Sequence, residues 1–187
     1  KRAVALESKD LNKTYDGTPL TNGSEPLKTE TGWAAGEGAT YSFTGSQTDV
    51  GSSANAFGYT LNAGTLADNY TINKTEGTLT VTKNTNAITI TADSDSKTYD
   101  GTPLTATGYA FTTGVLAAGD VLTAVVEGTI TNAGAADNVV TSYKVMRGST
   151  DVTAFYTFND PVKGTLTVDK RAVALESKDL NKTYDGT

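Results

Sequence analysis

Apolar and polar residues alternate with a period of two along most of this chain. Successive side chains of a β-strand point to opposite faces, so the alternation predicts strands with one buried and one solvated face. Thr is frequent at the solvated positions and suits them, because its branched Cβ favours extended backbone. The apolar positions of the pattern are Val4 and Leu6, Tyr41 and Phe43, Phe57, Tyr59 and Leu61, Tyr70 and Ile72, Leu79 and Val81, and Ile88 and Ile90.

Helical spacing with capping residues does not extend over ten residues anywhere in the sequence, and at most one helical turn is expected, at Ala117 to Asp120. The sequence therefore predicts an all-β protein. Two loops closed by glycine, Asn73–Gly77 and Asn159–Gly164, each separate two alternating segments. A loop of this kind predicts a β-hairpin in each half of the chain.

The chain repeats itself at long range. Lys1–Thr18 recurs letter for letter as Lys170–Thr187, and the peptide KTYDGTPLT at Lys13–Thr21 recurs at Lys97–Thr105. These shifts of 169 and 84 residues divide the chain into unit one (residues 1–84), unit two (85–169) and the start of a third copy (170–187). So little sequence separates the last strand of unit one from the first strand of unit two that the units are expected to touch.

The repeated peptide contains a strong turn signal. Gly17 occupies left-handed backbone freely and Asp16 tolerates it, while Pro19 favours extended backbone at the residue before it. Tyr15 and Leu20 are expected to anchor the loop in a core. We interpret the peptide as a structural turn copied with its domain, in preference to a ligand-binding loop.

These segments also carry a family resemblance. KTYDGTPLT, the later steps Gly36-Glu37 and Gly119-Asp120, and the closing NYTIN and EGTLTVTK segments together resemble the MBG-type repeats of bacterial cell-surface adhesins, over both units. The resemblance implies an extracellular tandem array at the bacterial surface with a stalk or adhesive role. It supplies no catalytic, cofactor-binding or metal-binding residues.

The charge balance argues against two classes of partner. The 187 residues include 15 Lys and Arg and 21 Asp and Glu, which gives a net charge of −6. Without a basic surface, nucleic acid and anionic membrane surfaces are not expected partners. Apolar segments of about 18 to 20 residues, as a membrane span needs, are absent from the sequence. Because the chain begins at Lys1 without a signal peptide, we expect any membrane anchor to lie outside it.

Catalytic chemistry is not expected. The chain has no His and no Cys, so Ser and Thr hydroxyls lack the usual activating partners. A unit of about 85 residues that closes its own core also leaves little room for a substrate cleft. Acidic residues are interpreted as turn residues and solvated charges at Asp16, Asp49, Asp68, Asp100, Asp137 and Asp160. The prediction is therefore not an enzyme, with no catalytic residue.

Metal binding and covalent cross-linking have few candidates. Asp93 and Asp95 form an acidic pair near the unit boundary, but unit one has Glu7 and Lys9 there, so a solvated loop is favoured and no metal or cofactor is predicted. Lys13 or Lys97 with Asn73 or Asn159 are candidates for a Lys–Asn cross-link, for which solvated lysines and turn asparagines are the favoured alternative.

Trp33 is the only tryptophan. An exposed indole can stack on a sugar ring. Its counterpart in unit two is Leu116, however, and an exchange of aromatic for aliphatic favours a packing role.

The favoured architecture is a head-to-tail rod of tandem Ig-like β-sandwiches, each with about seven strands. A β-grasp-like sheet with one short helix is the alternative. The expected function is a structural stalk or spacer that projects a functional tip and contacts neighbouring repeats of the same chain. A direct binding module for glycans or host protein, and a subunit of a surface filament, are the competing hypotheses.

Overall fold

The computed structural model describes residues 1–111 and 116–186. Unit one contains β1 (Arg2–Glu7), β2 (Leu11–Thr14), β3 (Leu20–Thr21), β4 (Thr29–Thr31), β5 (Ala39–Phe43), β6 (Ser46–Gln47), β7 (Gly51–Ala54), β8 (Phe57–Leu61), a 3-10 turn (Ala67–Asn69), β9 (Tyr70–Thr75) and β10 (Thr78–Thr82).

Unit two begins with β11 (Asn84–Ile88), which starts on the last residue assigned to unit one. It continues with β12 (Ile90–Ala92), β13 (Asp95–Thr98), β14 (Tyr109–Phe111), β15 (Asp120–Glu127), β16 (Gly134–Arg147), β17 (Thr150–Asp151), a 3-10 turn (Thr153–Phe155), β18 (Tyr156–Phe158) and β19 (Gly164–Asp169).

The prediction of an all-β protein is confirmed, since the elements of the described residues are strands and two 3-10 turns. The alternation places most of its apolar residues correctly, since Val4, Leu6, Leu79, Val81, Ile88 and Ile90 are buried, but the prediction is wrong at Tyr59, which is 39% exposed. At the predicted helical turn, the backbone N–H of Asp120 donates to the carbonyl of Ala117 over 3.0 Å, and the chain forms a simple turn there.

The first and last long segments of unit one run side by side in the same direction. β1 pairs in parallel with β9, and β2 pairs in parallel with β10. The first of these sheets also holds β4, and the second holds β7. Each long segment therefore bends once and passes from one sheet to the other.

The predicted hairpins are wrong. In unit one β9 and β10 belong to different sheets, and in unit two β18 pairs with β11 while β19 pairs with β13 and β16. Gly77 is needed for a different reason: a Cβ on it would lie 2.5 Å from the carbonyl oxygens of Ser8 and Lys9. The glycine allows the two bending segments to touch backbone to backbone.

Unit two repeats these parallel pairings, with an irregularity in the first of them. Arg2 pairs with Tyr70 and Val4 with Ile72 in unit one, whereas Asn84 pairs with Tyr156 and Ile88 with Phe158 in unit two. Four residues on β11 therefore span the distance that two residues span on β1. A β-bulge absorbs the two additional residues.

Within residues 1–111 and 116–186, the hydrophobic residues form three buried clusters. One lies in unit one around Val4, Leu6 and Phe57, and one in unit two around Leu104, Leu166 and Val168. The third joins Tyr15 and Val81 of unit one to Ile88, Ile90, Ala117, Leu122, Val145, Val152 and Tyr156 of unit two. Among the described residues, strand pairing stays within each unit except at Asn84, the last residue of unit one, whose strand pairs with β18 of unit two. The third cluster crosses the boundary through side-chain packing.

Candidate functional site: the joint between the units

The repeated peptide forms a loop that is tied to itself. The ammonium group of Lys13 donates to the Asp16 carboxylate and to the Thr18 hydroxyl, each over 2.6 Å, and also to the Thr18 carbonyl. Asp16 accepts in turn from the backbone N–H of Thr18 over 2.9 Å. The Lys, Asp and Thr of the peptide therefore fix the loop that carries the Tyr.

Unit two builds the same loop. Lys97 donates to the Asp100 carboxylate over 2.8 Å and to the Thr102 hydroxyl over 2.7 Å, and the backbone N–H of Thr102 donates to Asp100 over 2.9 Å. The Lys97 and Thr102 hydrogen bonds hold the pKa of Asp100 well below its usual range, and those of Lys13 and Thr18 do the same for Asp16.

Tyr15 leaves its own unit and enters the next one. Its backbone N–H donates to the carbonyl of Thr82 over 2.8 Å, so the residue lies beside the last strand of unit one. Its side chain is only 1% exposed. The ring makes edge contacts with Phe155 and Tyr156, at centroid distances of 5.1 and 5.5 Å.

Asp120 receives the hydroxyl group of Tyr15. One carboxylate oxygen accepts from Tyr15 over 2.8 Å and from Tyr156 over 2.6 Å, while the other accepts from Nε of Arg147 over 2.9 Å. The Asp120 side chain is fully buried, and a buried carboxylate requires such partners. Burial and the bond to Asp120 raise the pKa of Tyr156 to about 12, so this hydroxyl stays protonated and donating.

Arg147 adds a second bond across the boundary. Its guanidinium group lies 5.1 Å from the centre of the Tyr15 ring, and its Nη1 donates to the carboxylate of Asp49 in unit one over 3.1 Å. The loop also approaches unit two closely, because a Cβ on Gly17 would lie 2.8 Å from Cβ of Ala117. The joint therefore combines aromatic packing, a hydrogen bond and an ion pair.

The sequence predicted that Tyr15 and Leu20 anchor the loop in a core. Tyr15 is buried and Leu20 packs partly buried, but both lie in the cluster shared with unit two. Trp33 packs against the core of unit one, with its ring in edge contact with Tyr70 at 4.9 Å, in agreement with a packing role. Its counterpart Leu116 packs against the shared cluster.

The structure places the four residues considered for a Lys–Asn cross-link as follows. Lys13 and Lys97 donate to Asp16 and Asp100 within their own loops, and Asn159 donates to the Thr89 hydroxyl over 2.9 Å. Asn73 lies in β9, opposite Ala5 of β1.

Asp93 and Asp95 are exposed, and the described part of the chain contains no group of three or more His, Cys, Asp or Glu arranged to hold a metal ion.

Across residues 1–111 and 116–186, no helix has the length and apolar character needed to cross a membrane. Comparison of the chain with protein-family models, curated proteins and solved structures finds no significant match. The joint between the units is therefore the feature of this structure that bears on function.

Sequence reasoning missed the most important residues of this joint. It interpreted Asp49 as a solvated charge, used Asp120 as the end of a predicted helical turn and as part of a motif, and did not single out Arg147. One signal was available: Arg147 aligns with Ala63 and Asp49 aligns with Asn132, so both members of the ion pair are specific to one copy.

Proposed function

We propose that this chain is a stalk or spacer segment of a bacterial cell-surface adhesin, which projects a functional tip away from the cell. Its units are Ig-like sandwiches of the MBG type, stacked head to tail outside the cell. The observation that carries the proposal is the burial of Tyr15 of unit one inside unit two. A stalk must resist bending where its domains meet, and a shared core supplies that resistance.

The connection between the units also supports a stiff joint. Val81 is buried in the shared cluster, and Asn84 already pairs with Tyr156 of unit two. Only Thr82 and Lys83 lie between them. Tyr15, Asp49 and Arg147 add contacts beside this short connection, so the two units are held at several points.

Small-angle X-ray scattering tests the rod. The 187-residue chain should scatter as an extended, rigid particle. Tyr15→Ala removes the aromatic anchor and should give the broader distance distribution of a flexible joint. Tyr99→Ala is the matched control, because this tyrosine has the same loop around it but is exposed, and it should scatter as the unchanged chain does. A compact particle, or no response to Tyr15→Ala, contradicts the proposal.

Location requires a separate test. Antibodies raised against the chain should label intact cells of the organism that encodes it, without permeabilisation. Labelling only after permeabilisation would overturn the surface role.

A further inference from the structure

The joint has two halves, and each unit carries both. We call the loop Lys13–Thr18 or Lys97–Thr102 the plug, and the end face that receives it the receptor. In unit two the receptor is built on Tyr156, which donates to Asp120 over 2.6 Å and accepts from the backbone N–H of Ala117 over 2.8 Å. The plug tyrosine of unit one donates to the same carboxylate oxygen.

Unit one has the same receptor arrangement. Tyr70 donates to the Glu37 carboxylate over 2.5 Å and accepts from the backbone N–H of Ala34 over 3.1 Å. Ala34, Glu37 and Tyr70 are the counterparts of Ala117, Asp120 and Tyr156. An acidic residue is thus already held by a tyrosine at the end of unit one, where a plug tyrosine would meet it.

Both remaining halves are exposed. Tyr99 of the second plug is 39% exposed, whereas Tyr15 is 1% exposed. Leu66 at the unit-one receptor is 63% exposed, whereas its counterpart Val152 is 1% exposed. Tyr15 and Val152 both pack in the shared cluster, so these positions are buried where a plug and a receptor meet.

The connection leaving unit two has the length that the joint needs. Two residues separate Val81 from Asn84, which pairs with Tyr156. Two residues also separate Val168 from Arg171, which is the copy of Arg2, and Arg2 pairs with Tyr70. The same span therefore connects the second plug to a receptor of the unit-one type.

The first kind of joint is the observed one, in which the plug of unit one enters the receptor of unit two. The second kind would bring the plug of unit two to a receptor of the unit-one type. The charged residues beside the plug and in the receptor differ between the two. Asp49, beside the first plug, forms an ion pair with Arg147 of the unit-two receptor. Beside the second plug the counterpart of Asp49 is Asn132, and in the unit-one receptor the counterpart of Arg147 is Ala63. The Asp49–Arg147 ion pair therefore has no counterpart in the second kind of joint.

A different cation serves the unit-one receptor. Arg2 lies close enough to Tyr70 to lower the pKa of its hydroxyl, which is raised overall by the bond to Glu37 and by burial. The corresponding position in unit two is Asn84. A plug with Asp49 brought to the unit-one receptor would lose Arg147 as its partner, which disfavours the wrong pairing.

We propose that the Tyr99 plug docks on the unit-one receptor of a second copy of this chain, with the tyrosine hydroxyl donating to Glu37 beside Tyr70. The charge difference makes the two joints alternate, so that unit two follows unit one and unit one follows unit two. This inference rests on the proposed function in one respect, because it takes the joint of the stalk as a repeating one.

A doubled chain tests the docking. Residues 1–169 followed by residues 1–187 continue the letter-for-letter repeat and create the second kind of joint. Trp33 reports on it, since this ring contacts Tyr70 in the receptor. With Trp33→Phe in the first copy, the remaining Trp33 faces the new joint. Its quenching by acrylamide should be weaker than in the 187-residue chain.

Tyr99→Ala in the first copy should restore quenching to the level of the 187-residue chain. The same substitution should lower the melting midpoint of the doubled chain by about 5 °C, and should leave that of the 187-residue chain unchanged. Equal quenching in the two chains, or equal melting shifts, overturns the docking. If the doubled chain is extended but its Trp33 is quenched as strongly as in the 187-residue chain, the stalk function is retained and the docking of the Tyr99 plug is rejected.

The alternation of the two joints is tested by placing an equivalent of the Asp49–Arg147 ion pair in the second kind of joint. Asn132→Asp in the first copy should lower the midpoint of the doubled chain, and Ala63→Arg in the second copy should recover it. In the 187-residue chain, where the two positions lie at opposite ends, their effects should add. Additive effects in the doubled chain as well would overturn the alternation.

Discussion

The two plugs have the same peptide sequence, but one is docked in a neighbouring unit and the other is exposed. The letters are the same, the Lys, Asp and Thr side chains make the same bonds, and Gly17 and Gly101 have φ values of +79° and +84°. Yet Tyr15 is buried and Tyr99 is exposed. The shape of the loop is therefore set by its own residues, whereas the burial of its tyrosine depends on the neighbouring unit.

The receptors allow the strongest test of this comparison. Asp120→Ala removes the buried acceptor of two tyrosines and leaves Arg147 without that partner, and should cost about 3 to 5 kcal/mol of unfolding free energy. Glu37→Ala removes the acceptor of Tyr70 alone and should cost about 1 kcal/mol. Urea unfolding measures both. Asp137→Ala, which breaks an exposed pair with Lys163, is the control, and its effect should be near zero. Equal losses at Asp120 and Glu37 would mean that the joint adds nothing.

Alanine substitutions at the two plug glycines distinguish the cost of backbone strain from the cost of a steric contact with unit two. Both have positive φ, so Gly17→Ala and Gly101→Ala should each cost about 1 to 2 kcal/mol. Only Gly17→Ala also forces a Cβ against Ala117, which should add about 1 to 3 kcal/mol. The difference between the two variants, measured by urea unfolding, isolates the contact across the boundary. No difference would show that the plug can shift without loss.

Removing the hydroxyl group of either plug tyrosine should change the free energy of unfolding by a smaller amount. Tyr15→Phe keeps the ring and removes one hydrogen bond to a buried carboxylate, and should cost about 1.5 kcal/mol. Tyr99→Phe should have no measurable effect in the 187-residue chain. Thermal unfolding of both variants checks the prediction, and a loss at Tyr99 that matches the loss at Tyr15 would contradict it.

Acid should affect both plugs equally and weakly. The folded loops lower the pKa values of Asp16 and Asp100, so ionisation of these groups stabilises the fold above the ordinary Asp pKa of about 3.9. That stability is lost as the pH falls below about 4 toward the lower pKa values of the folded state. Asp16→Asn and Asp100→Asn should each flatten the acid side of a pH–stability curve, and to the same extent. A larger effect at Asp16 would show that its titration is coupled to the joint.

The strands could be predicted because their cause is local. Alternation at Val4 and Leu6, or at Leu79 and Val81, requires one buried face wherever the strand lies. The sheet partners could not be predicted in the same way. Gly77 reads as a turn residue in sequence, and only the crossing of two bending segments reveals that backbone contact excludes a Cβ there.

The contacts of the joint, like the sheet partners, could not be predicted from local sequence. A tyrosine fixed on a tight loop could be predicted to be buried, but its sequence does not state which unit receives it. Asp120 and Arg147 come together because β15 pairs with β16 at that position. Asp49 then reaches Arg147 from the other unit, 98 residues away in sequence. The choice between an Ig-like and a β-grasp-like description stays a prediction, since parallel pairing of the first and last segments is not part of a purely antiparallel sandwich.

That parallel pairing has a mechanical consequence. The chain enters unit one at the start of β1 and leaves at the end of β10, and tension on the two ends pulls these segments in opposite directions along their length. The six registered pairs of β1 with β9 and the four of β2 with β10 are then loaded in shear and share the force. Strands pulled in this way must break many hydrogen bonds together, whereas strands peeled from one end break them singly. The parallel pairing therefore lets unit one resist tension applied between the start of β1 and the end of β10.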